Sequence, residues 1–432
     1  MRGWPVFGCV GAMLTAAAAC ATSDESAGPR PPPPGTGTIP IADASTDAVA
    51  RDADAEASIA TCSAANWCAT PLPDAELAMK DIWPFSGRAF AIAEGPTLGV
   101  KVLEWNDDDA EWRYIDDNTQ NEVGGQYAGT IWAPNENEIY YAAAPAYVYH
   151  GERLTPPATG WSWSRQLLED NGPKGLPYHD PTIDDHGYRY PPGLSKKSPA
   201  LGVWGTGSRD VYAWYSNTVY HWKDEAGTPA WIPEYVADDY DSDSEHLFFV
   251  SAGGSGPSDV WFAGIRDQGY PTCALLVRKT PAGYRRIADG AIRDFTCSDR
   301  EGYLYIGGAN GWLTDIQSAA AGGLIGLKGT HDIVRVSSDG DTISVDLSTI
   351  PNLFSAGGPQ RGYSSLWRSE DALWLTGWSL VARGASDGET YQVSTISLNG
   401  GPLATDMYRV RGTSSTNLWA IGNGYALHKT TL

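Results

Sequence analysis

The chain of 432 residues carries 52 acidic against 30 basic residues, a formal net charge of −22, and is rich in Trp and Tyr (18 and 22) with only 8 Phe and 4 Met. That charge, with no Lys/Arg cluster large enough to overcome it, excludes a nucleic-acid footprint and a surface held on anionic lipid by basic residues. The 49 Gly and 29 Pro, without the period of collagen, point to many short strands joined by turns.

Arg2 precedes an apolar run over 6–19 that ends at Cys20. The run has the length of a secretory core and falls short of the roughly 20 residues a spanning helix needs. Ala17-Ala18-Ala19-Cys20 resembles a bacterial lipobox. The resemblance implies cleavage of residues 1–20 as a lipoprotein signal peptide and lipidation of Cys20. With Ala21 rather than Asp after the cysteine, it implies an outer-membrane anchor, facing the periplasm or the cell surface. Ordinary cleavage after a small residue is the alternative. Residues 21–61 hold Pro31-Pro32-Pro33-Pro34 and an Ala/Asp-rich stretch with few large apolar groups. Such a segment buries too little surface to offset its ordering entropy, so it is expected to be a disordered tether.

Cys9 falls in the signal and Cys20 is the anchor, which leaves four cysteines and three formal pairings. In an exported protein Cys62–Cys68 and Cys273–Cys297 are the favoured disulfides. Zinc is disfavoured, because neither pair has Cys-x-x-Cys spacing or a nearby His.

From residue 77 onward one phrase recurs: an apolar strand, a Gly/Ser turn, a second apolar strand, a short polar turn and a third strand. Its clearest copy is Val203-Trp204-Gly205-Thr206-Gly207-Ser208-Arg209-Asp210-Val211-Tyr212-Ala213-Trp214, closing with Val219-Tyr220-His221-Trp222. First strands are expected around Trp83, Trp132, Trp204, Val250, Phe295, Trp367 and Val410, at intervals of 43 to 49 residues apart from two of 72. The fifth copy is expected to run Asp294-Phe295-Thr296, then Tyr303-Leu304-Tyr305-Ile306-Gly307, then Trp312-Leu313-Thr314. Asn310-Gly311 and Asn423-Gly424 are expected as hairpin turns between second and third strands.

A fourth strand follows most copies, but the seventh runs out after its third. The missing strand is expected at Asn66-Trp67-Cys68-Ala69-Thr70-Pro71-Leu72. Residues 62–432 therefore read as an all-β, seven-bladed β-propeller of four-stranded antiparallel blades, with an N-terminal strand completing the last blade and an insertion at about 169–199. A pair of β-sandwiches is the rival, and a β-helix fits less well because the repeats are too long.

These copies, with Arg411-Gly412-Thr413-Ser414-Ser415-Thr416-Asn417-Leu418-Trp419-Ala420-Ile421-Gly422, resemble the Val-Trp-Gly and Asp-Val-Trp-Ala repeats of surface propellers in uncharacterised myxobacterial-type lipoproteins. The resemblance implies architecture and says little about activity. No Trp-Asp pair closes a unit as in WD40 blades.

The repeated Trp residues (Trp83, Trp132, Trp204, Trp261, Trp367, Trp374, Trp419) read as packing between blades, against sugar-stacking platforms as the functional alternative. Aromatics in irregular segments, Tyr178, Tyr188, Tyr190 and Tyr270, are the candidate ligand contacts. The insertion places His179, Asp180, Asp184, Asp185 and His186 close together, a set that suits zinc, iron or manganese but more simply a solvated loop. Asp239, Asp241 and Asp243 alternate as calcium ligands do, without the Gly and terminal Glu of an EF-hand. No cofactor is expected, with calcium at that loop as the alternative.

No Gly-x-Ser-x-Gly elbow, His-Glu-x-x-His or phosphate loop is present, so no catalytic residue is assigned. The function expected is a lipid-anchored envelope module that binds or scaffolds an envelope protein or an extracellular glycan. The alternatives are a polysaccharide hydrolase or lyase at the channel mouth, and an accessory lipoprotein of an outer-membrane assembly complex.

Overall fold

The computed structural model divides the chain into two units, Met1–Ala57 and Ser58–Leu432. It describes residues 62–431 except 123–126, 170, 172–199, 226, 243, 269–270, 309, 320–321, 340–341, 352–361, 379, 386–389, 399–400 and 404. All described residues lie in the second unit.

Seven four-stranded antiparallel sheets make up that unit, each ordered from its first strand outward. The innermost strands are Ala78–Phe85, Ala128–Asn135, Leu201–Gly207, His246–Gly256, Leu313–Ala319, Tyr363–Arg368 and Met407–Ser414. The seventh sheet takes its outermost strand, Cys68–Thr70, from the beginning of the domain. Cys68, Ala69 and Thr70 pair with His428, Leu427 and Ala426. This is the seven-bladed propeller the repeats implied, and closing the ring removes the two sheet edges that an open array would expose.

Each blade is covered on both faces by its neighbours, so second strands read as apolar runs rather than alternations. Ala89 through Ala93 are fully buried. The outermost strands do alternate, as Thr342–Thr349 shows. The core is a series of inter-blade layers. In one, Trp132 and Tyr140 of the second blade meet Val203 and Val211 of the third.

A cross-strand pair repeats in the blades. An aromatic residue of the second strand stands opposite a cationic group or imidazole of the third: Tyr140 with His150, Tyr212 with His221, Trp261 with Arg278, Trp374 with Arg383 and Trp419 with His428. The imidazoles lie flat on their partners, with ring centroids 4.3 Å apart for Tyr212 and His221 and 3.9 Å for Trp419 and His428. Such pairs combine area burial with the attraction of a cation to the ring face.

The fifth blade corrects the expectation. Its strands are Leu313–Ala319, Gly323–Lys328, Asp332–Asp339 and Thr342–Thr349. Trp312-Leu313-Thr314 thus opens the first strand instead of forming the third, and Asn310-Gly311 precedes the blade. The segment read as the blade's first strand belongs to an inserted hairpin, Gly290–Arg293 with Thr296–Asp299. Its tip residue Phe295 is 84% exposed. The true first and second strands lack tryptophan, while the insertion borrows the aromatic pattern. The insertion is fastened to the fourth blade by Cys273–Cys297, and the other disulfide is Cys62–Cys68. Both expected pairings are present, and they indicate an oxidising, extracytoplasmic compartment. No described helix is long and apolar enough to cross a membrane.

Candidate binding site at the channel mouth

The inner strands share a three-residue pattern of polar, aliphatic and large side chain: Asp81-Ile82-Trp83, Thr130-Ile131-Trp132, Asp315-Ile316-Gln317, Ser365-Leu366-Trp367 and Arg409-Val410-Arg411. Gly202-Val203-Trp204 and Ser251-Ala252-Gly253 are the reduced copies. Six of the seven inner strands shift register against the second strand at this point. A bulge re-aims the following side chain toward the next blade.

The polar residue then bonds the neighbouring inner strand's backbone. Asp81 Oδ2 accepts from Ile131 N at 3.1 Å, and Thr130 Oγ1 accepts from Val203 N at 2.7 Å. Asp315 Oδ2 accepts from Leu366 N at 3.1 Å, and Ser365 Oγ from Val410 N at 3.2 Å. Backbone groups left over by the inner edge of one sheet are satisfied by the sheet before it.

In the seventh blade this position is Arg409, followed two residues later by Arg411. Arg411 forms a two-pronged bond with Asp315, Nη1 to Oδ2 at 2.9 Å and Nη2 to Oδ1 at 2.8 Å. Arg409 lies between two carboxylates, Nε 3.5 Å from Asp81 Oδ1 and Nη1 3.7 Å from Asp315 Oδ2. Neither Asp81 Oδ1 nor Arg409 Nε makes a hydrogen bond, though both are buried. The two carboxyls shift in opposite senses. Burial pushes Asp81 up, and Arg409 and Arg411 only partly offset it. Burial pushes Asp315 up as well, but Arg411, Arg409 and the Ser365 hydroxyl more than reverse it and hold that group low.

Asp81, Arg409 and Arg411 line a cavity of about 400 Å³, with Asp315 behind them. Its lining runs along the inner strands from residues such as Thr130 and Arg409 to Pro84, Arg368 and Thr413 toward the turns that join first to second strands. Trp83 and Trp204 are half-buried in its wall, and Trp367 is buried beside them. Arg368 ends its strand at the same level. Its backbone N–H donates to Gln317 Oε1 at 2.8 Å, while its half-buried guanidinium has no partner among the described residues.

Trp132, Trp261, Trp374 and Trp419 are buried between blades. Trp83 and Trp204 serve both roles, packing against Trp132 and against Gly254 while facing the cavity. Asp239 and Asp241 are committed to arginines: Asp239 to Arg286 at 2.6 Å and Arg300 at 3.1 Å, Asp241 to Arg300 at 2.8 Å. No group of three or more metal-ligating side chains occurs among the described residues. Cys20, Tyr178, His179, Asp180, Asp184, Asp185, His186, Tyr188, Tyr190, Asp243 and Tyr270 lie outside the described residues. Sequence reasoning did not single out Asp81, Asp315, Arg368, Arg409 or Arg411. The signal was the polar residue two places before each inner-strand Trp, and the Arg that replaces Trp in the last copy.

No family model and no curated protein sequence matches the chain. Among solved structures, YCF48 from Cyanidioschyzon merolae is similar at 14% identity over 85% of this chain and 98% of that one, with a TM-score of 0.52. A structure of YCF48 bound to D1 peptide is similar at 12% identity over 87% and 100%, with a TM-score of 0.54. The Cps50 (Swd1) β-propeller domain of Myceliophteria thermophila matches at 8% identity over 86% and 98%, with a TM-score of 0.50. These likenesses bear on fold alone: the chain is a seven-bladed β-propeller similar to YCF48-type propellers.

Proposed function

We propose that this protein is a binding module of the cell envelope, anchored by lipid at Cys20, which holds an extracellular glycan at the channel mouth. The observation that carries the reading is the cavity itself, walled by Trp83 and Trp204 and edged by arginine. Half-buried indoles offer a flat apolar face to a sugar ring, and a few fixed polar groups orient it, which is the usual make-up of a small-ligand pocket. A propeller of similar fold has been solved with a peptide bound, so a peptide is the competing occupant.

Calorimetric titration with polysaccharide extracted from the producing cells tests this. Saturable binding that falls at least tenfold in Trp204→Ala is the expected result. Equal binding by the two proteins, or none by either, removes the reading. Membrane retention that is lost in Cys20→Ala tests the anchor separately.

The hydrolase or lyase alternative has one supporting observation, the Asp81 carboxyl on the cavity wall, whose buried Oδ1 makes no hydrogen bond. Glycoside hydrolysis of the common kind needs two available carboxylates, and Asp315 is tied up by both prongs of Arg411. Product release that disappears in Asp81→Asn would revive it.

A further inference from the structure

We infer that the sugar recognised at the channel mouth carries a carboxylate, and that Arg368 is the residue that selects it; this rests on the glycan reading above. Charge at the cavity is unbalanced. Three guanidinium groups, of Arg368, Arg409 and Arg411, line the cavity with one carboxylate, of Asp81, and a second carboxylate, of Asp315, lies behind them paired to Arg411. Arg411 is fully used by Asp315, and Arg409 divides itself between Asp315 and Asp81 at 3.7 and 3.5 Å. Arg368 is left over.

A half-buried cation without a counter-charge is costly, and in a chain of net charge −22 it stands out. There is no shortage of acids elsewhere. In the blade interiors arginines find carboxylates, as Arg278 does with Asp259 at 2.8 Å. Arg368 therefore offers an unused planar fork of donors at a cavity entrance. A carboxylate is the group that fits such a fork with two parallel bonds.

The buried pair behind it has the same leaning. Arg409 Nε retains an unused donor, and Asp81, displaced upward by burial, opposes an incoming anion less than an ordinary aspartate would. The indoles of Trp83 and Trp204 in the wall favour a ring over an extended acidic peptide, whose side chains have no flat apolar face to stack. The ligand class is accordingly a uronic acid residue within a polysaccharide.

The test uses the whole anchored chain in detergent and two probes, a tetramer of 1,4-linked galacturonate and its methyl ester. The two have the same rings and differ at the carboxyl group, charged in one and capped by a methyl in the other. Expected is an affinity at least tenfold higher for the acid. Arg368→Gln should erase that difference while leaving the near-ultraviolet circular dichroism of the fold in place. Arg368→Lys should restore part of it. Equal affinity for acid and ester, both weakened by Trp204→Ala, overturns the charge selection and leaves the glycan reading standing. Binding of an Asp/Glu-rich peptide but of neither tetramer overturns both, as does the absence of any binding.

Discussion

Trp67 stands edge-on to Trp374, their ring centroids 6.0 Å apart, although one residue begins the domain and the other belongs to the sixth blade. Trp67 is fully buried in the layer between the sixth and seventh blades, with Val381, Val410 and Leu418. The ring is therefore closed by side-chain packing as well as by the three-residue pairing of Cys68–Thr70. Trp67→Ala should cost about 3–5 kcal/mol, as for a large aromatic removed from a core. Removing the adjacent short-loop disulfide by Cys62→Ser with Cys68→Ser should cost less, about 2 kcal/mol on the chain-entropy account. Denaturant unfolding of the two variants decides the order. A disulfide variant less stable than Trp67→Ala would mean the covalent link, and not the packing, closes the ring.

His221 and His428 occupy equivalent places in the repeat but are expected to titrate on opposite sides of 6.5. Burial pulls His221 down, yet Asp210 and Glu234, each 3.1 Å from a ring nitrogen, outweigh it and raise its pKa. His428 is lowered by burial over Trp419; its Nε2 meets the neutral Asn417 Oδ1 at 2.9 Å, and Asp107 offsets little. The raised group contributes stability that is complete below 6.5 and is lost as pH rises through its folded value. The lowered group does the reverse, adding stability as pH rises from its folded value to 6.5. Ring-proton titration by NMR should give a midpoint above 6.5 for His221 and below it for His428. His221→Gln should abolish the fall in stability on the alkaline side. Coincident midpoints would show that the carboxylates do not govern His221.

Arg266 is fully buried and bonds Glu245 through Nη1 at 2.6 Å and Asp289 through Nη2 at 2.9 Å. It joins the connection before the fourth blade to the connection after it. Arg266→Leu leaves the buried Glu245 without its cation and Asp289 with Arg286 at 2.9 Å, and should cost about 3–5 kcal/mol. Arg300→Gln, at the more exposed rim of the same network, should cost under about 1 kcal/mol. Similar losses would deny that burial sets the energetics here. Calcium is expected to leave the melting temperature unchanged, because Asp239 and Asp241 already face guanidinium groups. A rise on adding calcium would restore the metal reading of that loop.

The number of blades and the strand swap were legible because inter-blade burial writes itself into each repeat. An apolar second strand covered on both faces has little freedom of composition, and a seventh unit ending at its third strand demands a fourth from elsewhere. The fifth blade was misplaced for the same physical reason. The second strand Gly323–Lys328 carries Leu324, Ile325 and Leu327 and no tryptophan, while Phe295 at the tip of the disulfide-held hairpin is aromatic and exposed. The channel was harder to see. Asp315 and Arg411 are 96 positions apart in sequence, and only the convergence of inner strands from the fifth and seventh blades brings them together. What could be read locally was each polar residue before an aliphatic–Trp pair, whose partner is a backbone group of the next blade. Arg368 has no sequence signature, because its distinction is the lack of a neighbour.

The two glycines of Val203-Trp204-Gly205-Thr206-Gly207 look alike in the repeat but are held for different reasons. A Cβ at Gly205 would lie 2.7 Å from the Trp132 ring and 2.8 Å from the Asp210 carbonyl oxygen, and that backbone cannot withdraw. A Cβ at Gly207 meets nothing within 4 Å. Gly205→Ala should therefore destabilise the domain by about 1–3 kcal/mol through overpacking, and Gly207→Ala should change stability by no more than about 0.5 kcal/mol. The effect should reach the binding site as well. Trp132 is in edge contact with Trp83 at 6.2 Å, so displacing it moves an indole of the cavity wall. Glycan affinity should fall in Gly205→Ala and be unchanged in Gly207→Ala, measured well below the melting temperature of either. Loss of binding in both would point to the turn at Ser208, and not the indole wall, as the contact surface.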